Sequence, residues 1–136
     1  MSEVRVDRGI LDTSVVIDLD TIDPDLLPDE VAITSITLAE LAAGPHATND
    51  HQERARRQDR LQRTEAAFDP LPFDADASRA YGRVYAAVAA AGRKARGVRA
   101  VDLLIAAVAC SRELPIYTRN GADFRHLDGL IEVFEI

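Results

Sequence analysis

The hydrophobic residues of this sequence form short apolar runs that alternate with longer segments of helical periodicity. Four of the runs predict strands: GILD (9–12), VAIT (31–34), PIYT (115–118) and IEVF (131–134). Short apolar strands that alternate with helices are typical of an α/β domain. We therefore predict an α/β fold in which a mainly parallel sheet is buried between helices.

The segments between these runs predict helices of different character. The clearest helix lies within 77–91, where apolar side chains recur at steps of three and four residues and a glycine follows. Residues 35–44 end in a glycine that a proline follows, as expected of a helix terminus. Residues 53–68 favour a helix with little amphipathicity, which we expect to lie largely exposed. The continuous apolar run 103–110 predicts a helix that is buried on most sides.

The length and composition favour a single globular domain over 1–136, because the chain has 136 residues, 47% of them hydrophobic and 29% charged. The longest apolar run is too short to span a bilayer, so we expect no membrane association. The first ten residues, MSEVRVDRGI, lack the apolar core of an export signal. The lone cysteine, Cys110, cannot form an internal disulfide, which favours a reducing, cytoplasmic setting.

The net charge of −7 argues against binding nucleic acid through bulk charge. Two basic clusters nevertheless stand out, each of which is either a solvated helix face or a surface that contacts phosphates. The first contains five arginines: Arg54, Arg56, Arg57, Arg60 and Arg63. The second contains four basic residues: Arg93, Lys94, Arg96 and Arg99.

Four acidic residues are placed to meet at one edge of the predicted sheet. Asp12 ends the first strand, and Glu40 lies in the helix that follows the second strand. Asp123 follows the third strand by five residues, and Asp102 begins the helix that leads into that strand. Because ligands of open α/β sheets bind beyond the carboxyl ends of the strands, these four carboxylates could converge on one pocket.

Each acid also has a local structural explanation. The spacing of Thr37 and Glu40 matches a capping box, and Asn120 with Asp123 could form a similar pair. Asp12 could cap the helix after it, and Asp102 could complement a helix dipole. These readings remain open for each residue taken singly.

Taken together, crowded carboxylates favour a bound cation. They raise one another's pKa unless a positive charge lies between them. No basic residue flanks them in sequence as an obvious shared partner. Oxygen-only ligands select Mg²⁺ or Mn²⁺ over zinc, so we expect one of these ions and chemistry on phosphates.

Four segments resemble the acidic motifs of PIN-domain ribonucleases and, more narrowly, of the VapC-type toxins of bacterial toxin–antitoxin pairs. They are LDTSVVID (11–18), TLAELAAG (37–44), VDLLIAAVA (101–109) and YTRNGADF (117–124). The resemblance extends over essentially the whole chain. It implies a PIN-like three-layer α/β/α domain and a Mg²⁺- or Mn²⁺-dependent endoribonuclease. It further implies a homodimer that a small cognate VapB-type antitoxin holds inactive.

The resemblance also implies roles for individual residues. Asp12 and Asp102 match the principal metal-binding aspartates, Glu40 the glutamate that completes the acidic site, and Asp123 the fourth acid. Ser14 and Thr118 match hydroxyl positions that support the site, and Asn120 stands where some members carry an acid. The second basic cluster (Arg93, Lys94, Arg96 and Arg99) would then hold the RNA backbone. Cleavage would leave a 5′-phosphate and a 3′-hydroxyl.

Three alternatives belong to other functional classes. A phosphoacceptor receiver domain needs a lysine near its last strands, whereas the single lysine here, Lys94, lies far from them in sequence. A binding-only module would keep the fold without the chemistry, although such a module should have lost one or more of the acids. A PIN-fold nuclease of RNA processing would act without an antitoxin.

Overall fold

A computed structural model describes residues 7–92 and 99–136 of the chain. Its sheet has four strands in the order β2-β1-β3-β4, and every neighbouring pair is parallel. The strands are β1 (Arg8–Leu11), β2 (Glu30–Ala32), β3 (Ile116–Thr118) and β4 (Val133–Glu135). The prediction of a mainly parallel sheet is confirmed. Because β1 and β3 are the central neighbours, the residues that follow them lie side by side at the carboxyl edge.

Within the described ranges, five α-helices accompany the sheet. They are α1 (Thr13–Ile17), α2 (Ser35–Ala43), α3 (His51–Ala67), α4 (Ala75–Ala91) and α5 (Ala100–Arg112). The helix α3 begins two residues before its predicted start, because the Asp50 side chain caps it by accepting the N–H of Gln52. The last strand begins two residues later than predicted, because the N–H of Ile131 is bonded to the Leu127 carbonyl and is withdrawn from the sheet.

The alternation of side chains along β1 builds a core on each face of the sheet. Ile10 packs with Val84 of α4 and Ile105 of α5 on one face. Leu11 packs with Val15 of α1 and Leu41 of α2 on the other. The three-layer α/β/α arrangement follows from these two cores.

The two helices with the most distinctive composition behave as predicted. In α5, the run from Ile105 to Ala109 is buried, as are Asp102 and Leu103. In α3, Thr64 is the one residue that is buried. Within the ranges that the structure describes, no helix is both long and apolar enough to cross a membrane. The N-terminal residues 1–6, which include most of the segment read for an export signal, lie outside the described residues.

Candidate active site at the carboxyl edge of the sheet

Asp12 lies directly after β1, at the centre of the carboxyl edge, and is 3% exposed. Its Oδ1 accepts hydrogen bonds from the Val15 N–H (3.2 Å) and the Ser14 hydroxyl (2.6 Å). Its Oδ2 accepts a hydrogen bond from the Thr118 hydroxyl (2.5 Å). Asp12 therefore does cap α1, and the same side chain joins the ends of β1 and β3.

Ser14 and Thr118 connect Asp12 to the backbone that follows β3. The Ser14 Oγ accepts the N–H of Arg119 (3.0 Å), and the Thr118 Oγ1 accepts the N–H of Asn120 (3.1 Å). Each hydroxyl thus accepts from a backbone amide while it donates to the carboxylate. This double use holds the Asp12 carboxylate in one orientation.

Glu40 lies on α2, and the structure corrects its sequence-based explanation as half of a capping box. The cap of α2 is Thr34, whose Oγ1 accepts the N–H of Thr37 (3.2 Å), so the helix begins at Ser35. Glu40 is one turn too far along the helix to serve its N-terminus. Its Oε1 instead accepts the Thr13 hydroxyl at 2.5 Å.

Two threonines support Glu40 in a way that the sequence analysis did not predict. The hydroxyls of Thr13 and Thr37 are hydrogen-bonded to each other at 3.1 Å, and Thr37 is fully buried. The available signals are local ones. Thr13 directly follows Asp12, and Thr37 lies three residues before Glu40 on the same helix face.

Arg99 contradicts the expectation that no basic residue serves the acids. One guanidinium nitrogen lies 2.6 Å from the Glu40 Oε2, and the Nε lies 3.9 Å from the Asp102 Oδ2. The Arg99 side chain is 58% exposed, whereas those of Glu40 and Asp102 are 20% and 8% exposed. Arg99 and Glu40 are 59 residues apart, so only the folded chain brings them together.

Asp102 lies in the first turn of α5 and carries the strongest electrostatic signature of the site. Burial raises its pKa from the ordinary value of 3.8 to about 6. The positive charge of Arg99 lowers this pKa, whereas the negative charges of Asp123, Glu40 and Asp12 raise it further. All four predicted acids therefore lie close enough to influence one another.

The Oδ2 of Asp102 is the one buried side-chain oxygen or nitrogen in the described ranges that has no hydrogen-bond partner. At 3.9 Å, the Arg99 Nε is too far away to supply that bond. The dipole explanation of Asp102 leaves this atom unexplained, because a carboxylate that only complements a helix terminus does not need to be buried. Burial also raises the pKa of Asp12, although its hydrogen bonds from Ser14 and Thr118 counteract the effect.

Asp123 lies in the 3₁₀ helix Gly121–Leu127 that follows β3. Its Oδ1 accepts a hydrogen bond from the side-chain amide of Asn120 at 3.1 Å. Asn120 makes no side-chain capping bond to that helix, so the pair is not a capping box. The sequence reading also missed Glu135 at the end of β4, whose Oε1 accepts the N–H of Gly121 (2.6 Å). No sequence motif marks Glu135.

The chemistry of these residues fits a hard divalent cation. Every candidate ligand is a carboxylate, and Asp102 offers a buried oxygen that no hydrogen bond uses. The side chains are not, however, arranged as a finished cage. Within 7–92 and 99–136, no three acidic, histidine or cysteine side chains form a metal-binding group. Arg99 lies beside Glu40 and Asp102 instead.

The first basic cluster lies on α3, where its side chains make local contacts. Arg54 and Arg57 donate to backbone carbonyls of residues 44–48, and Arg56 and Arg63 form ion pairs with acidic side chains. These contacts favour the interpretation as a solvated helix face. In the second cluster, Arg99 lies at the acidic site. The other three members lie outside the described residues: Arg93, Lys94 and Arg96.

Comparisons with known proteins point in one direction. The family model of the PIN domain matches residues 10–130. Ribonuclease VapC5 of Mycobacterium tuberculosis is 44% identical over 128 residues, covering 92% of this chain and 91% of the relative. Ribonuclease VapC8 of the same species is 36% identical over 110 residues, covering 80% and 96%.

A solved structure agrees with these sequence matches. It is a crystal structure of a member of the VapBC family of toxin–antitoxin systems, VapBC-5, from Mycobacterium tuberculosis. It superimposes with a TM-score of 0.83 at 43% identity, covering 95% of this chain and 98% of the matched chain. The structural similarity therefore extends over nearly the whole chain.

Proposed function

This chain belongs to the PIN-domain family and, within it, to the VapC-type ribonucleases, and we propose on this basis that it is an RNA-hydrolysing toxin that depends on Mg²⁺ or Mn²⁺. One observation carries the proposal. Four carboxylates lie close together at the carboxyl edge of the sheet, where α/β proteins bind ligands. The negative charges of Asp12, Glu40 and Asp123 all raise the pKa of Asp102. Asp102 keeps a buried oxygen without a hydrogen bond, which suits a cation ligand.

The roles divide according to burial. Asp12 and Asp102, the two buried acids, would hold the cation, and Glu40 and Asp123 would adjust its coordination or orient the attacking water. A divalent cation supplies charge neutralisation for the phosphate and Lewis-acid activation of water when it is bound. Ser14 and Thr118 keep Asp12 from rotating away from the cation.

The reaction is hydrolysis of an internal RNA phosphodiester. Water attacks phosphorus and loses a proton, the bond from phosphorus to the 3′-oxygen breaks, and that oxygen gains a proton. The products carry a 5′-phosphate and a 3′-hydroxyl. Arg99 supplies a half-exposed guanidinium at the rim of the site, and guanidinium groups match phosphate geometry. We propose that this contact extends along the RNA backbone through the basic residues that precede Arg99 in the sequence: Arg93, Lys94 and Arg96.

The test is cleavage of purified RNA by the purified chain with Mn²⁺, compared with the same reaction in EDTA. We expect 5′-phosphate products and a rate that falls by about 100-fold or more in Asp102→Asn, because even the hydrogen-bonding supports of metal ligands are worth about 10- to 100-fold. The control, Asp69→Asn, removes one exposed carboxylate outside the site and should keep the wild-type rate. An Asp102→Asn protein that folds normally and cleaves at the wild-type rate would refute the proposal. A binding-only module predicts no cleavage by any of these proteins.

The proposed partner is a small antitoxin. The solved structure that resembles this chain at 43% identity belongs to a toxin–antitoxin system. An acidic pocket attracts a basic side chain, so an antitoxin arginine placed among these carboxylates would block or mimic the cation. We expect a complex of the chain with its cognate antitoxin to be inactive in the same cleavage assay. A fully active complex contradicts this inhibition model.

The proposed assembly of the free chain is a homodimer. The chain mass is 14.9 kDa, so light scattering of the purified protein should give about twice that value. A monomeric mass at micromolar concentration contradicts the dimer. The proposed setting is the cytoplasm, where the RNA substrate is found.

A further inference from the structure

Both oxygens of Glu40 have a partner within the protein. The Oε2 of Glu40 is held by the Arg99 guanidinium at 2.6 Å, and its Oε1 accepts the Thr13 hydroxyl at 2.5 Å. Each carboxylate oxygen can accept a second bond, so these contacts alone do not exclude a cation. The positive charge of Arg99 does oppose one, because a cation bound at Oε2 would lie at contact distance from the guanidinium.

The Arg99 side chain is the partner that can move. Its backbone is fixed at the N-terminus of α5, where its carbonyl accepts the N–H groups of Asp102 (3.1 Å) and Leu103 (3.4 Å). Its side chain is 58% exposed, whereas Thr13 is joined to the buried Thr37. The guanidinium can therefore swing into solvent without disturbing the helix.

The negative charge of the site exceeds the positive charge that Arg99 supplies. The Arg99 guanidinium interacts with Glu40, Asp102 and Asp123, and it lies 3.9 Å from the Asp102 Oδ2 without a hydrogen bond to that atom. A dication beside Glu40 and Asp102 would satisfy this oxygen and would repel the guanidinium, because like charges at contact distance are unfavourable. Arg99 and the cation therefore compete for the same oxygens.

We infer that Arg99 is a built-in counter-ion that a divalent cation displaces from Glu40, and that the displaced guanidinium becomes free to contact a substrate phosphate. The inference rests on the proposed function, because it takes the acidic site to be the cation site. It gives Arg99 two successive partners, the Glu40 carboxylate before the cation binds and the RNA backbone afterwards.

The test is calorimetric titration of Mn²⁺ into the full chain, as wild type and as Arg99→Gln. We expect Arg99→Gln to bind Mn²⁺ about tenfold more tightly, because the ion pair no longer competes. The matched control is Arg119→Gln. Arg119 is 40% exposed and pairs with Asp18 at 3.6 Å, so its loss changes the net charge equally without freeing Glu40. We expect this control to change the affinity by less than about threefold.

Two outcomes overturn the inference. Unchanged or weaker Mn²⁺ binding in Arg99→Gln means that Arg99 does not compete, and equal gains in both variants mean that only net charge matters. If no protein binds Mn²⁺, the proposed metal dependence itself fails, which is a distinguishable result. Circular dichroism verifies that each variant is folded. If Arg99→Gln does not fold, Arg99→Lys is the second variant. It should bind Mn²⁺ more tightly than the wild type, by less than the tenfold expected of Arg99→Gln.

A second readout follows the side chain itself. The ion pair with Glu40 should give the Arg99 Nε–H a distinct signal in nitrogen-15 NMR spectra of the wild type, identified by its absence in Arg99→Gln. Addition of Mg²⁺ should shift this signal toward that of a solvated arginine. A signal that does not respond while Mg²⁺ binds elsewhere in the acidic site overturns the displacement.

Discussion

Replacing Asp102 with asparagine should stabilise the protein against unfolding when divalent cations are removed by EDTA. The side chain is 8% exposed, and its burial raises the pKa of the carboxyl from 3.8 to about 6. At neutral pH, folding therefore places a charge where the neutral form is preferred. Asparagine resembles the neutral form in size and shape, so it removes this cost.

The magnitude follows from the two pKa values. A shift of one pKa unit corresponds to about 1.4 kcal/mol, so the upper limit of the gain above pH 7 is roughly 3 kcal/mol. Because the folded-state pKa is the raised one, the stability of the wild type is fully present below pH 3.8 and is lost as the pH rises through 6. The advantage of Asp102→Asn should therefore fall by about half between pH 7.5 and pH 5.

The assay is urea unfolding of both proteins in EDTA at pH 7.5 and pH 5, monitored by circular dichroism. The exposed-site variant Asp69→Asn serves as the control for loss of one negative charge. Mn²⁺ added at about 1,000 times its Kd should reverse the ranking at pH 7.5, because a ligand at that concentration stabilises the protein that binds it by about 4.1 kcal/mol. If Asp102→Asn is no more stable than the wild type in EDTA, or if its advantage does not change with pH, the assignment of a strained buried carboxylate is wrong.

Three further predictions concern the supports of the site and the fold. Thr118→Val removes the hydroxyl that donates to Asp12 and should weaken Mn²⁺ binding about 10- to 100-fold in calorimetry, whereas Thr118→Ser should bind like the wild type; equal affinities for valine and serine would contradict the role of the hydroxyl. Thr34→Ala removes the cap of α2 and should cost about 1 to 2 kcal/mol in urea unfolding, a loss that an unchanged midpoint would disprove. Glu113→Gly should add about 0.5 to 1 kcal/mol in the same measurement, because Glu113 has a φ of 55° that glycine adopts without strain; a less stable glycine protein would show that this strain is absent.

The candidate site was predictable from sequence where local position decides the geometry. Asp12 directly follows a strand, and Asp102 begins the helix that leads into the neighbouring strand, so parallel pairing places both at the same edge. The hydroxyls of Ser14 and Thr118 could likewise be assigned from their motifs. The capping box at Thr37 was wrong because helix α2 begins at Ser35 with Thr34 as its cap, so Thr37 already lies within the first turn.

The sequence by itself determined the succession of strands and helices along the chain, the buried character of α5 and the edge of the sheet at which the acids meet. These features depend on periodicity and on neighbours along the chain, which a linear pattern records. Only the tertiary structure decided that Arg99 pairs with Glu40 and that Thr13 supplies the second donor. The packing of α5 and α1 against α2 brings these partners together. The interaction of two charges depends on their distance in space, which their separation in sequence does not reveal.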